Sequence, residues 1–565
     1  MRGTMWPEIG FAVKLPIPWN GKFYMVGNGG KAGNIEEGAM ANGLKLGYVT
    51  ASTNTGHDNK REKGAMFGYN PPDNSNPNAR QKEIDFGYRS VHETAVIAKK
   101  IMQAYYGSLP AHSYWVGCST GGRQGLIEAQ QYPDDFDGIV AGAPVYNYMA
   151  VQIYAPWYLQ AFLAPETKLH DKLPILGSAI YAKCDGIDGL VDGLIDDPLR
   201  CGFDPAKDLP RCRGNVDRPS CFTDAQARAL QKVYEGPVSN GKPLFPGLPP
   251  GGEAMAGGWG QWIVGTPTSQ PQQFSLMFDA FKYLCFEVDD PNYDFRTDFN
   301  FETDPPKLDV MGKILNATNP DLSAFNARKG KLLMYHGWAD DGPNPVQTVQ
   351  YYTNIRKTFG NRVTKSFVRL YMVPGMGHCS GGIGCDKVDW VTPLVNWVEN
   401  GTEPGALIGA ASSGTPRTRP ICPYPEVARY EGKGSVDDAG NFTCVKTIPA
   451  HVRIEPDTLK LKSRGTFTAS MTLPDTMRDW KLRSVVCEGA LAVKVSKKQY
   501  TYKARFNKQD LKDIMTGNAV KFRVYAIVER DARRLRHGDN DTQWLFERHG
   551  YRVAFEGSGT VRVVE

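Results

Sequence analysis

The sequence predicts an α/β protein: a largely parallel sheet covered by helices, split by one long insertion and followed by a small all-β domain. Three observations lead there. Short apolar runs alternate with helix-like runs over residues 1–145 and again over 325–446. Between them, 146–324 is aromatic, rich in Gly and Pro, and shows little periodicity, as an insertion would. From 447 to 565, short runs of alternating polarity rich in Thr, Val and Tyr take over. Strand–helix alternation implies crossover helices and hence a parallel sheet, whereas period-two alternation marks the half-buried strands of a sandwich.

The elements follow in order. Phe11–Leu15, Phe23–Val26 and Tyr48–Ala51 read as strands because aromatic and β-branched residues fill them. Val91–Tyr105 reads as a helix with one charged face, Ser113–Val116 as a strand, Arg123–Gln131 as a helix and Gly138–Ala141 as a strand. After the insertion come strand Lys331–Tyr335, helix Val346–Phe359, strand Phe367–Val373 and helix Trp390–Asn400. In the last domain Thr466–Met471, Val520–Val528 and Thr560–Val564 read as strands.

Composition limits the function classes. A chain of 565 residues exceeds one hydrophobic core, so several folded units are expected. With 41% hydrophobic and 22% charged residues it is neither a disordered chain nor a coiled coil. No run approaches the ~18 apolar residues of a membrane-spanning helix. A net charge of +6 is too small for nucleic acid as the main partner. The charge is uneven: residues 451–565 hold 23 Lys and Arg against 14 Asp and Glu, which marks a separate basic domain able to touch a polysaccharide or cell surface.

Eleven cysteines point to an oxidising compartment, and none forms a zinc-type CxxC pair. Cys184/Cys201, Cys212/Cys221 and Cys422/Cys444 each bracket a short polar stretch, as bridged loops do. The first residues, MRGTMWPEIG, hold no apolar export segment. The expectation is therefore a secreted or periplasmic protein whose export signal lies upstream or was removed.

The strongest motif is Gly117-Cys118-Ser119-Thr120-Gly121-Gly122 between a strand-like and a helix-like run. G-x-S-x-G in that context makes a sharp turn that lifts a serine hydroxyl off the sheet, and the following N–H, on Thr120, faces the developing oxyanion. The fold expected is then the α/β-hydrolase sheet, whose partners follow in the order Ser, Asp/Glu, His. Asp340, after strand KLLMY, is the candidate acid, with Asp341 as its rival; His378, after VRLYMV, is the candidate base. Among other histidines, His57 and His92 lie upstream of Ser119, His336 is nearer a strand end, and His451, His537 and His549 belong to the last domain. Cys118 precedes Ser119 and Cys379 follows His378, so serine–histidine contact would bring both cysteines within bridging distance. Cys118 as the nucleophile is the weaker alternative, because the motif aims the serine. A second oxyanion donor is expected from Val26-Gly27-Asn28-Gly29-Gly30 after an early strand, with Gly30 preferred over Gly29.

The insertion carries five carboxylates within 13 residues, Asp185 to Asp197, spaced by glycines. Such a loop suits Ca²⁺, with Asp185, Asp188 and Asp192 as side-chain ligands and Leu190 and Leu194 as carbonyl donors. A solvated acidic loop is the alternative. The position in the insertion makes the metal structural. Trp259 and Trp262 are candidate wall residues for an aromatic acyl group, and equally candidate core residues.

Taken together, GCSTGGRQG, HGWAD and PGMGHCSGG, with LPIPWNGKFYMVGNGGKAG and CDGIDGLVDGL, resemble the tannase and feruloyl esterase family over about residues 8–446. The resemblance implies a Ser119–Asp340–His378 triad, a Cys118–Cys379 bridge, and an inserted lid domain holding calcium. It also implies hydrolysis of esters of aromatic acids: gallates, hydroxycinnamates or terephthalate half-esters. Residues 252–275 hold no Arg or Lys to meet a terephthalate carboxylate. The family pattern does not explain residues 447–565, nor partners for Cys285, Cys385 and Cys487. Alternative readings are an aliphatic esterase or peptidase on the same triad, and a calcium-dependent binding protein whose triad is silent.

Overall fold

Eight strands from two separated stretches of chain meet in one mixed sheet in the computed structural model, which describes all residues except 267, 473–480, 499–500, 512–513, 515, 530–551 and 565. Their order across the sheet is Arg2–Met5, Ile9–Lys14, Val49–Thr53, Lys22–Val26, His112–Cys118, Gly138–Gly142, Lys331–Gly337 and Val368–Val373. The first two joints, from Arg2–Met5 through Ile9–Lys14 to Val49–Thr53, are antiparallel; the rest are parallel. The central strands are buried on both faces, which is why they read as near-continuous apolar runs.

Alternate residues of these strands feed two cores. Phe23, Met25, Trp115, Ile139, Leu332 and Met334 face helices Ser90–Tyr106, Thr120–Gln131 and Pro345–Phe367. Tyr24, Val26, Tyr114, Val140, Leu333 and Tyr335 face the other layer, which includes helix Val391–Asn400 with Leu394 and Trp397. A three-layer helix–sheet–helix arrangement results. Ser90–Tyr106 stops at Gly107 and Val391–Asn400 at Gly401, both in the left-handed conformation that glycine adopts cheaply. The helix expected over Val346–Phe359 runs on to Phe367, but Gly360 breaks it at φ +73°.

The chain between Gly142 and Lys331 builds one further core of its own and shares a second with Ala32, Ala65, Phe67 and Phe86. It is more helical than its sequence suggests, with Tyr148–Ala161, Leu173–Cys184, Asp224–Glu235 and Gln272–Tyr283. Tyr148–Ala161 is buried nearly all round, so it has no polar stripe and no helical period to read. Asp224–Glu235 is amphipathic and starts with a Thr223/Gln226 capping box.

The C-terminal region is strand-rich. A seven-stranded sheet runs from Val427–Tyr430 and Phe442–Pro449 through Arg552–Val564 and Gly517–Glu529 to Lys481–Cys487 and Ala490–Leu491, with Thr458–Lys460 paired to Arg552–Val564. A four-stranded sheet holds His451–Glu455, Thr466–Thr472, Thr501–Asn507 and Lys494–Lys498. Phe467, Met471 and Phe506 from the second share a core with Phe522, Val524 and Phe555 from the first. Among the described residues, no helix is long and apolar enough to cross a membrane.

Candidate active site

Strand His112–Cys118 ends one residue before Ser119, and helix Thr120–Gln131 begins one residue after it. Ser119 therefore turns the corner alone, at φ +63° and ψ −121°, a region costly for a residue with a Cβ. The glycines around it are packing requirements. A Cβ on Gly117 would lie 2.5 Å from the Gly121 carbonyl carbon, and one on Gly122 would lie 2.3 Å from the Gly142 carbonyl oxygen. The Ser119 N–H donates to that same Gly142 oxygen at 3.0 Å, which pins the turn to the next strand.

The glycine-rich turn after Lys22–Val26 lies against this corner. A Cβ on Gly27 would meet Gly121 Cα at 2.5 Å. Asn28 holds the turn: its N–H donates to Gln124 Oε1 at 3.0 Å and its Nδ2 to the Thr53 carbonyl at 2.8 Å. The Thr120 hydroxyl donates to the Gly30 carbonyl, and Gly30 has φ +53°. Gly30, Thr120, Ser119 and His378 line one cavity; Gly29 does not line it.

Asp340 and His378 come together from the ends of strands Lys331–Gly337 and Val368–Val373. His378 Nδ1 lies 2.7 Å from Asp340 Oδ2. The same oxygen is 3.0 Å from His336 Nε2, and Asp340 Oδ1 accepts the Gly342 N–H at 2.8 Å. Burial alone would raise the Asp340 carboxyl, but His378 and His336 outweigh it and hold the group down at about 2. Its neighbour Asp341 turns the other way, accepts from Trp259 Nε1 at 3.1 Å, and leaves Oδ2 without a partner among the described residues. Burial, then Glu253 and Asp340, push the Asp341 carboxyl well above the carboxylate range. The structure thus separates the two rivals: Asp340 meets the imidazole and Asp341 does not.

Cys118 and Cys379 are bridged, with Cα atoms 5.9 Å apart, so Cys118 has no thiol to act as nucleophile. Cys184–Cys201, Cys212–Cys221 and Cys422–Cys444 are bridged as well. Cys285, Cys385 and Cys487 are buried and unpaired. Trp262 lines the cavity, with its ring edge-on to His378 at 5.1 Å, whereas Trp259 is fully buried beneath. His57 is buried against Phe67, His92 pairs with Asp135, and His451 lies on a C-terminal strand; His537 and His549 lie outside the described residues.

Two roles escaped the sequence reading: His336, inside the HGWAD run, is buried behind the cavity and meets Asp340, and Lys31, next to Gly30, lines the cavity itself. Their motifs flagged the neighbourhood, but no local pattern shows which way either side chain points.

The acidic loop lies apart from this cavity. Asp185 accepts the N–H groups of Asp192 and Gly193, Asp188 that of Leu190, and Asp192 that of Leu194. Burial, then Asp196, push Asp188 well above the usual range; the same two causes raise Asp192 to about 7 despite Arg419 and Arg417. Carboxylates crowded and buried in this way fit a divalent cation by charge. Among the described residues, no three acidic, His or Cys side chains already surround one point. The C-terminal region seats on this loop: a Cβ on Gly189 would lie 2.6 Å from the Tyr525 ring, and Arg429 links Asp196 to Glu556.

A strained serine between strand and helix, opening with a carboxylate-paired histidine on one cavity, suits acyl transfer. The comparisons agree with that chemistry. The family model "Tannase and feruloyl esterase" matches residues 2–445. The chain is 33% identical over 506 residues to the mono(2-hydroxyethyl) terephthalate hydrolase of Piscinibacter sakaiensis, covering 77% of this chain and 81% of that one. It is 31% identical over 475 residues to feruloyl esterase B of Aspergillus niger, covering 79% and 84%. The crystal structure of feruloyl esterase B from Aspergillus oryzae superposes with a TM-score of 0.70 at 29% identity, over 79% of this chain and 89% of that one. The chain belongs to the tannase and feruloyl esterase family and is a carboxylic ester hydrolase.

Proposed function

We propose that this hydrolase cleaves esters of aromatic acids through an acyl-enzyme on Ser119. The observation that carries the reading is one cavity onto which Ser119 and the Asp340-paired His378 both open, walled by Val145, Tyr148, Val151, Trp262, Leu276 and Met277. Ser119 attacks the ester carbonyl while His378 takes its proton and passes it to the leaving alcohol. Asp340 holds the imidazole tautomer and stabilises its charge. The N–H groups of Thr120 and Gly30 receive the oxyanion, each contributing about 3 kcal/mol in sites of this kind. Water then releases the acid. The inserted segment acts as the lid, since Trp262, Leu276 and Met277 come from it.

Calcium belongs in this reading as a structural ion, held by Asp185, Asp188 and Asp192 with the Leu190 and Leu194 carbonyls; it would neutralise the crowded carboxylates and stiffen the loop. Four disulfides support a secreted or periplasmic location. Any polysaccharide or surface contact is assigned to the basic residues 447–565, read by co-sedimentation of the whole chain with insoluble polysaccharide.

The test is hydrolysis of methyl gallate, methyl ferulate, mono(2-hydroxyethyl) terephthalate and an aliphatic acetate, beside Ser119→Ala. Turnover of an aromatic ester that disappears in the variant is the expected result. Preference for the acetate, or activity that survives in Ser119→Ala, would overturn the proposal.

A further inference from the structure

Lys31 is a cation in an unusual place. It follows Gly30 in the tight turn closed by the Ala32 N–H on the Gly29 carbonyl at 2.9 Å, and it lines the cavity with Ser119 and His378. Its relative exposure is 9%. No side-chain hydrogen bond or ion pair within 4.0 Å reaches its ammonium among the described residues. Burying an ammonium without a partner is costly, and buried charges are ordinarily paired.

The surroundings do not supply the missing anion. Asp279 is the carboxylate that acts on Lys31, and it does so from beyond ion-pair distance. Cys285 and Tyr148 stay neutral at pH 7, because burial pushes both their pKa values up. Apart from Lys31 and His378, every residue lining the cavity is neutral. Burial pulls the Lys31 pKa down to about 8, so most of it still carries its proton at neutral pH. The other polar groups at hand are the Gln152 and Gln273 amides, and Gln273 Oε1 is itself buried without a partner among the described residues. A site with apolar walls and one unpaired cation is built to take an apolar body with one negative end.

We propose that the Lys31 ammonium pairs with a carboxylate on the aromatic acyl group and so sets specificity toward monoesters of aromatic dicarboxylic acids. The inference rests on the ester-hydrolase reading above and names its substrate class. It differs from the sequence expectation, which looked for such a cation in the lid over 252–275 and found none. Here the cation comes from the core, on the turn that also carries Gly30.

Monomethyl terephthalate and methyl 4-carbamoylbenzoate differ in charge and little in size. The measurement is kcat/KM for both, in the wild-type protein and in Lys31→Met. A hydrogen bond between charged groups in a dry site changes affinity by about ten- to a hundredfold. The wild-type protein is therefore expected to favour the monoester by at least about tenfold, and Lys31→Met to lose that preference, mostly through KM. A wild-type ratio near one, or equal losses on both esters in Lys31→Met, would overturn the proposal; equal losses would make Lys31 a support for the oxyanion turn. Binding of the same two esters to Ser119→Ala, by calorimetry, keeps the test alive should Lys31→Met fold poorly. Tighter binding of the monoester supports the Lys31 pairing, and equal binding refutes it. Binding preference without any hydrolysis by the wild-type protein would sink the hydrolase reading and leave the Lys31 pairing standing. Equal hydrolysis of both esters would do the reverse.

Discussion

His336 Nε2 lies 3.0 Å from Asp340 Oδ2, the same oxygen that meets His378, and both side chains are fully buried. The other ring nitrogen of His336 is 2.8 Å from Thr348 Oγ1. A neutral imidazole satisfies both contacts if Nε2–H donates to the carboxylate and Nδ1 accepts from the threonine hydroxyl. His336 is thus a positioning residue: it holds Asp340 so that Asp340 can hold His378. Loss of a hydrogen bond to a charged group is worth about 1.5–3 kcal/mol. His336→Ala is expected to lower kcat by roughly ten- to a hundredfold with KM little changed. Steady-state kinetics on any accepted ester checks it; an unchanged kcat would remove His336 from the mechanism.

Asp340 also sets a pH dependence. Its folded-state pKa, about 2, lies below the ordinary aspartate value of 3.8. A depressed carboxyl contributes stability that is present above the unfolded pKa and is lost as pH falls through the folded one. The loss therefore falls between about pH 4 and pH 2, on the order of 2 kcal/mol. Asp340→Asn is expected to flatten the acid side of the Tm profile in that window while abolishing most activity. A profile as steep as that of the wild-type protein would refute the assignment.

The Cys118–Cys379 bridge joins positions 261 apart in sequence and touches both the serine turn and the histidine loop. Chain-entropy arguments give such a long closure about 5–6 kcal/mol, an upper figure because native strain and residual unfolded structure subtract from it. The double variant Cys118→Ala/Cys379→Ala is expected to lose several degrees of Tm and most of its kcat. Thermal unfolding beside ester kinetics checks both; retention of full kcat would show that the bridge is dispensable for alignment.

Calcium is testable without activity. A ligand bound only by the folded state stabilises it by about 2.7 kcal/mol at a hundred times its dissociation constant. Adding Ca²⁺ to chelator-stripped protein is expected to raise Tm, and Asp188→Asn to remove most of that rise. A Tm indifferent to Ca²⁺ in the wild-type protein would return Asp185–Asp197 to the status of an acidic loop, neutralised by Arg417, Arg419 and Arg429.

Much of the site was legible in the sequence because its parts are local. G-x-S-x-G needs close-packed glycines within a few residues of the serine, and that requirement is written at Gly117, Gly121 and Gly122. The order Ser119, Asp340, His378 follows from strands that present their loops at one sheet edge. The sequence preferred Asp340 but kept Asp341 as a rival, because adjacent loop residues have no period and their directions depend on His378 and Trp259. Helix Tyr148–Ala161 was hidden for a related reason: burial on all sides erases the pattern that betrays a helix.

The sequence by itself determined the α/β core, the strand-rich C-terminal region and three short cysteine bridges, since each depends on periodicity or on a short polar stretch closed by a bridge; the Cys118–Cys379 pairing followed from the motifs around Ser119 and His378. Tertiary structure alone decided that Asp340 serves two histidines, that Trp262 rather than Trp259 reaches the cavity, and that Lys31 stands there without an anion. The physical reason is distance along the chain. Side chains on turns far apart in sequence become neighbours only when parallel strands bring their ends to one edge, and no local pattern records which way each will point.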